Sequence, residues 1–284
     1  MRLPTLALAI ALMALATPSN AWEPTGHTLI TQHALQLVER DMKPFYDANS
    51  RYIAAFCTLP DDWRQTYKQE VGPNHFIDLD LLSKPPFADL IVDRATAEKR
   101  FGKDELLKPG VLPWAIEECF SKLVAAMKSG DSVKIALHSA ILAHYIGDAH
   151  QPLHDTKDYD GRTPDQKGLH FRWEQTLVLI ALKPEMVNTT HAPKLGPIRS
   201  EAFAWCIESY SKCEAIFKAD EAARKLDPAM GYRYCQTMWD STGPIMTTQL
   251  THASERLAAT WIAAWHAAGK PKLTDKCAPY FWEP

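Results

Sequence analysis

The stretch His144-Tyr-Ile-Gly-Asp-Ala-His-Gln-Pro-Leu-His154 constrains this chain more than any other. It places three histidines and one aspartate within a single short segment. The preceding run, Val133–Ala143, carries apolar residues at helical spacing. That pattern predicts a helix on which His144 and Asp148 stand four apart on one face. Pro152 cannot continue the helix, so His154 approaches from the loop beyond it. Imidazole and carboxylate groups held together on a rigid helix are divalent-cation ligands, and a set without thiolate suits zinc. His170 and Glu174 repeat the four-residue spacing on a second predicted helix, after the polar, turn-rich loop 155–168. With His154 they make a three-ligand site that keeps positions open for water or substrate.

The remainder of the chain sets limits on the reading. Its 284 residues are 46% hydrophobic and 23% charged, an ordinary globular composition with ample core. The net charge of −3 implies no basic face of the kind that grips duplex nucleic acid. Residues 1–21 read as a secretory signal: Arg2, an apolar run Leu6–Ala16 too short to span a bilayer, then Ser19-Asn20-Ala21. The expected location is therefore periplasmic or secreted. An oxidising compartment makes Cys57, Cys119, Cys206, Cys213, Cys235 and Cys277 disulfide candidates, with no pairing indicated.

Local signals predict further helices. Thr25 can cap a helix that turns Leu29, Ile30, Ala34, Leu37 and Val38 inward. Pro113-Trp114 opens a helix that Gly130 ends, and Asp131 or Ser132 caps the central one. Helices are expected at about 198–218, 228–240 and 245–268, with 80–112 largely irregular. No run alternates cleanly enough for a strand. His33, His138, His150, His191, His252 and His266 read as supporting, core or surface residues.

The motif His-x-x-x-Asp-x-His-Gln-Pro-Leu-His resembles the core of the three-zinc superfamily. This contains the single-strand-specific class I nucleases of moulds, plants and bacteria, and the bacterial zinc phospholipases C. The likeness extends to Trp22-Glu-Pro-Thr-Gly-His27, Cys57-Thr-Leu-Pro-Asp61-Asp-Trp-Arg64, Asn74-His75-Phe76-Ile77-Asp78 and Leu169-His170-Phe-Arg-Trp-Glu174. It implies an all-α fold: a single compact multi-helix domain, residues 22–284, around a trinuclear zinc cleft.

It also implies roles. Asp61, His75, His144 and Asp148 would hold one zinc. Trp22, through the amine freed by cleavage and its own carbonyl, would hold a second with His27 and a bridging Asp61. His154, His170 and Glu174 would hold the third, with Asp148 leaning towards either neighbour. Asp61 is favoured over Asp62 by register. Metal charge would make hydroxide available near neutrality for in-line attack on phosphorus. Asp61 would orient the hydroxide, Arg64 would fix the phosphate, Phe76 would stack on a base and Asp78 would bond the base edge.

The implied activity is that of a zinc-dependent phosphodiesterase. The leading form is an endonuclease on single-stranded RNA and DNA giving 5′-nucleotides, with 3′-nucleotidase activity as an accompaniment, acting as a monomer without an obligate protein partner. Two departures point to a zinc phospholipase C binding a phospholipid head group. Glu174 stands where nucleases usually carry Asp, and the loop 155–168 is short. A non-catalytic zinc-binding secreted protein is the third reading. Leu59-Pro60 also replaces the usual Trp-Ala.

Overall fold

A computed structural model describes residues 22–274, and the predicted signal segment and Cys277 lie outside that range. Every regular element among the described residues is helical. The chain opens with α1 (Glu23–Gln36), α2 (Lys43–Phe56) and α3 (Leu59–Thr66), each with a proline in its first turn. There its fixed φ suits the helix and its missing N–H costs nothing. Pro24 and Trp22 set the start of α1, so Thr25 lies inside the first turn instead of capping it.

The segment 80–112 is looser, with α4 (Arg94–Phe101) capped by the Asp93 carboxylate on Thr96 N. Then α5 (Leu112–Ser129) ends at Gly130, whose φ of 70° is open to glycine without strain. The central helix α6 (Ser132–Asp148) is capped by Asp131, which accepts from Lys134 N. It packs on α2 and α5, and most of its second half is buried. Past it, Pro152–His154 forms a single 3₁₀ turn.

The C-terminal region departs from the predicted boundaries. The expected helix at 198–218 breaks at Ser211 and Lys212 into α7 (Ile198–Tyr210) and α8 (Cys213–Leu226). The two expected helices that follow are one, α9 (Tyr232–Ala267), with Pro244 inside it. Pro244 is exposed, so its ring points to solvent. Buried Met238, Thr242, Met246 and Leu250 hold the flanking turns to the core. Tertiary packing therefore outweighs the lost backbone bond. Helix α9 spans the molecule against α1, α5, α6 and α8.

Cys57, Cys119, Cys206, Cys213 and Cys235 all carry free thiols, so the expectation of disulfides is not met among the described residues. All but Cys235 are buried and serve as small core residues. No helix of the described residues is long and apolar enough to cross a membrane.

Candidate metal centre and substrate cleft

The C-terminal half of α6 is the floor of the site. Its last two turns carry His144 and Asp148, both fully buried. From α3 comes Asp61, 2% exposed, while Asp62 faces solvent. The geometry thus brings in the aspartate that register favoured. From a 3₁₀ turn, Gly72–His75, comes His75, and from α1 comes His27.

Three groups of ligand atoms result, each with its members within 4.8 Å of one another: His27, Asp61 and His144; His75, His144 and Asp148; and His154, His170 and Glu174. Asp148 lies between neighbours on both sides. Its Oδ1 is 3.5 Å from His27 Nε2 and 3.7 Å from His154 Nδ1. Its Oδ2 is 3.2 Å from His75 Nδ1 and 3.3 Å from His144 Nε2. Asp61 approaches His75 and His144 at 3.7 Å each. Both carboxylates are therefore placed to be shared: Asp148 among all of its neighbours, and Asp61 in a group with His27 and His144 while facing His75 as well. As a helix residue four positions after His144, Asp148 is locked by packing, whereas Asp61 enters from the side.

The donor set fits divalent cations. His144 Nδ1 is 2.9 Å from the Cys57 carbonyl oxygen and His154 Nδ1 is 2.8 Å from that of His75. Donation to those carbonyls fixes both tautomers and leaves each Nε2 as an acceptor facing the cluster. His144 Nε2 then meets His75 Nδ1 at 3.0 Å, two nitrogens directed at the same point. Buried His27 Nε2, Asp61 Oδ1, Asp148 Oδ1 and Glu174 Oε1 find no hydrogen-bond partner among the described residues. Orphaned polar atoms converging on shared points are what a cation satisfies.

Electrostatics say the same. Burial pushes His27 down to about 3 and His75 down to about 4, so both rings are neutral ligands near neutrality. Burial also lowers His144, but Asp148 and Asp61 outweigh it and lift the ring to about 9. The carboxylates thus demand positive charge at this spot, which a cation supplies in place of a proton.

The third group sits on an irregular helix. Leu169–Phe171 is α-helical, Arg172–Thr176 is a π turn and Leu177–Ala181 is α-helical again. The predicted helix exists, but the π turn widens it at Glu174, as such bulges do at functional sites. Glu174 Oε2 is 2.9 Å from His170 Nε2 and 3.6 Å from His154 Nε2. Burial opposes ionisation of Glu174, but the two histidines hold it down at about 2. Gln151 Nε2 donates to the same oxygen at 2.8 Å, and Gln151 Oε1 accepts from Leu153 N.

Gln151 was visible in the motif, yet nothing in the spacing assigned it this duty. Gly147 was equally silent: a Cβ there would lie 2.7 Å from His27 Nδ1. Its carbonyl accepts from the Trp22 indole Nε1 at 2.8 Å. Trp22 is fully buried, 5.3 Å from the Trp173 ring. His150, as expected, is no member of the groups; it bonds the Ile146 carbonyl and Arg256 instead.

Above the ligands lies a cleft of about 470 Å³ lined by Arg64, His75, Phe76, Asp78, His154 and His170, with Lys108 and Tyr159 at its rim. Arg64 acts electrostatically on Asp61, His75 and His154 alike. Phe76 and Asp78 are held by their backbone: Asp78 N donates to Pro109 O and Leu112 N to Phe76 O. Gly110, with φ 83°, passes so close that a Cβ would sit 2.1 Å from Phe76 O. Burial, with Asp80 and Asp158 nearby, lifts the Asp78 carboxyl to about 7. Lys108 and Tyr159 had no sequence signal, since both come from irregular segments.

The S1/P1 nuclease family pattern matches residues 22–265, which includes every residue of the three groups. Nuclease S1 of Aspergillus oryzae is 24% identical, over 90% of this chain and 96% of its own length. Endonuclease 1 of Arabidopsis thaliana is 26% identical, over 63% of this chain and 61% of its own length, just under two thirds of that relative. Family match, helical fold and clustered ligands agree: the chain belongs to the S1/P1 nuclease family.

Proposed function

We propose that this protein is an exported, zinc-dependent nuclease that prefers single strands and yields 5′-nucleotides. The observation that carries the reading is the convergence of three imidazole–carboxylate groups beneath a cleft bearing Arg64 and the aromatic ring of Phe76. His75, His144, Asp148 and Asp61 would hold one zinc. His27, Asp148 and the Trp22 main chain would hold a neighbour, and His154, His170 and Glu174 a third. Zinc at these positions would supply positive charge for the phosphoryl oxygens and lower the pKa of a water.

The chain's own groups do the rest. Asp61, in the group with His27 and His144, accepts a hydrogen bond from the attacking water and aligns it. Arg64 holds a non-bridging phosphate oxygen. Phe76 stacks on a base, worth about 1–3 kcal/mol and tolerant of base identity. Asp78 accepts from the base edge. A base must be unstacked to reach Phe76, which favours single strands. Export is part of the same reading, because removal of residues 1–21 turns the Trp22 amide nitrogen into an amine that can act as a ligand.

The test is hydrolysis of denatured DNA, RNA and phosphatidylcholine by purified mature protein, each with and without chelator. Chelator-sensitive cleavage of nucleic acid is expected. Cleavage of lipid alone would make the protein a phospholipase C. Activity on none of the three would leave a zinc-binding protein without catalysis. A mature terminus other than Trp22 would remove the second zinc site as drawn.

A further inference from the structure

A second cleft, of about 690 Å³, shares Arg64 and Phe76 with the first. It is lined by Asp61, Arg64, Gln65, Lys68, Gly72, Pro73 and Phe76. Asp61, Arg64 and Phe76 are the groups assigned above to the reacting phosphate and its base, so the two clefts meet at the metal centre. The second lies within the volume range of small-ligand pockets. Gln65 and Lys68 are exposed, and Lys68 makes no ion pair among the described residues. Arg64 and Lys68 stand four positions apart in sequence, where α3 gives way to the short turn Lys68–Val71.

A strand whose scissile phosphate lies at Arg64 must continue past the metals in both directions. One direction is filled by the Phe76–Asp78–Tyr159 cleft. We infer that the other is the Gln65–Lys68 cleft, which takes the next nucleotide of the same single strand, with Lys68 on its phosphate. This rests on the nuclease reading and adds a positioning residue to it. The charge is complementary. The Phe76 ring and Pro73 give the cleft an apolar wall for a sugar or base, and Gln65 offers both a donor and an acceptor. Lys68 thus acts on binding of an extended strand and not on bond cleavage itself.

The experiment compares Lys68→Ala and Lys68→Arg with the parent enzyme, each on a dinucleoside monophosphate and on a trinucleotide. The dinucleoside monophosphate has only the scissile phosphate, while the trinucleotide carries one more. Lys68→Ala should raise KM for the trinucleotide roughly three- to fivefold more than KM for the dinucleoside monophosphate, the size of an exposed charge contact. Its kcat on the trinucleotide should not fall with it, and Lys68→Arg should restore the parent KM. The salt dependence of kcat/KM on longer strands should lose about 0.7 of a log unit per log unit, one phosphate's share for a single strand. Equal effects on the two substrates, or an unchanged salt slope, would overturn the subsite while leaving the nuclease reading intact. A parent enzyme that cleaves neither these substrates nor denatured DNA or RNA would instead overturn the nuclease reading, and the subsite with it.

Discussion

At the residue scale the site is decided by what surrounds each ligand. Gly147 tests this sharply, because an added Cβ would meet His27 Nδ1 at 2.7 Å and Cε1 at 2.8 Å. His27 cannot simply swing away, since its ring is stacked on His144 at 4.2 Å. Alanine favours a helix over glycine by about 1 kcal/mol, so Gly147→Ala should fold. It should nonetheless lower metal affinity about 10- to 100-fold, the scale of a disturbed ligand shell. Elemental analysis and chelator titration check this; unchanged metal content would mean His27 is no ligand. Part of the ligand set was legible from spacing, because His144 and Asp148, like His170 and Glu174, sit four apart on apolar helices, while His27, Asp61 and His75 came only with the family resemblance. Gly147 and Gln151 carried no such signal, because their roles depend on contacts between segments far apart in the chain.

Elements hold those residues in place, and α6 is anchored at its C-terminal end by a relay from two other helices. His150, just beyond α6, has Nδ1 2.6 Å from the Ile146 carbonyl, and its Nε2 receives Arg256 Nη1 of α9 at 2.9 Å. Arg256 Nη2 donates to Glu208 Oε2 of α7 at 2.5 Å, and Glu208 Oε1 pairs with His252 at 2.9 Å. Bonds from His252 and Arg256 outweigh burial and hold the Glu208 carboxyl down at about 2. A carboxyl depressed on folding contributes stability above its unfolded pKa, about 4.3, and loses it as pH falls towards the folded value. Glu208→Gln should therefore be less stable than the parent near neutrality, and the gap should close between about pH 4.3 and 2. Urea unfolding across that range measures it, and a gap independent of pH would show that Glu208 acts through shape alone. The same scale explains what the sequence hid. Gly130 and Asp131 announced their helix ends through local backbone chemistry. The break expected between 240 and 245 is closed by packing on both sides of Pro244, and the π turn at Glu174 has no local signature.

For the whole molecule, the clustered ligands make folding and cation binding one equilibrium. The region contributed by α1, α3, α6 and the turn ending at His75 encloses buried, like-directed nitrogens and carboxylates. Each buried polar atom left without a partner costs about 1–3 kcal/mol. Nor does any of the described cysteines form a disulfide that could compensate. A cation bound only by the folded state adds RT ln(1 + [L]/Kd), about 4 kcal/mol when its concentration is a thousandfold above Kd. For a domain of this size each kcal/mol moves Tm by about 2–4 °C, so one site lost to a chelator should lower Tm by roughly 10 °C. Loss of several sites should lower it further, with stepwise recovery as zinc is returned. Protons compete at the same atoms: with His27 at about 3 and His75 at about 4, those two rings stay available as ligands well below neutrality. At His154 and His144 the neighbouring carboxylates outweigh burial and favour a positive charge, which the cation supplies in place of a proton, so acidification should release it. Calorimetry of the protein before and after chelation, with metal content followed through an acid titration, measures both effects. A Tm indifferent to chelator would break the link between the buried ligands and the stability of the fold.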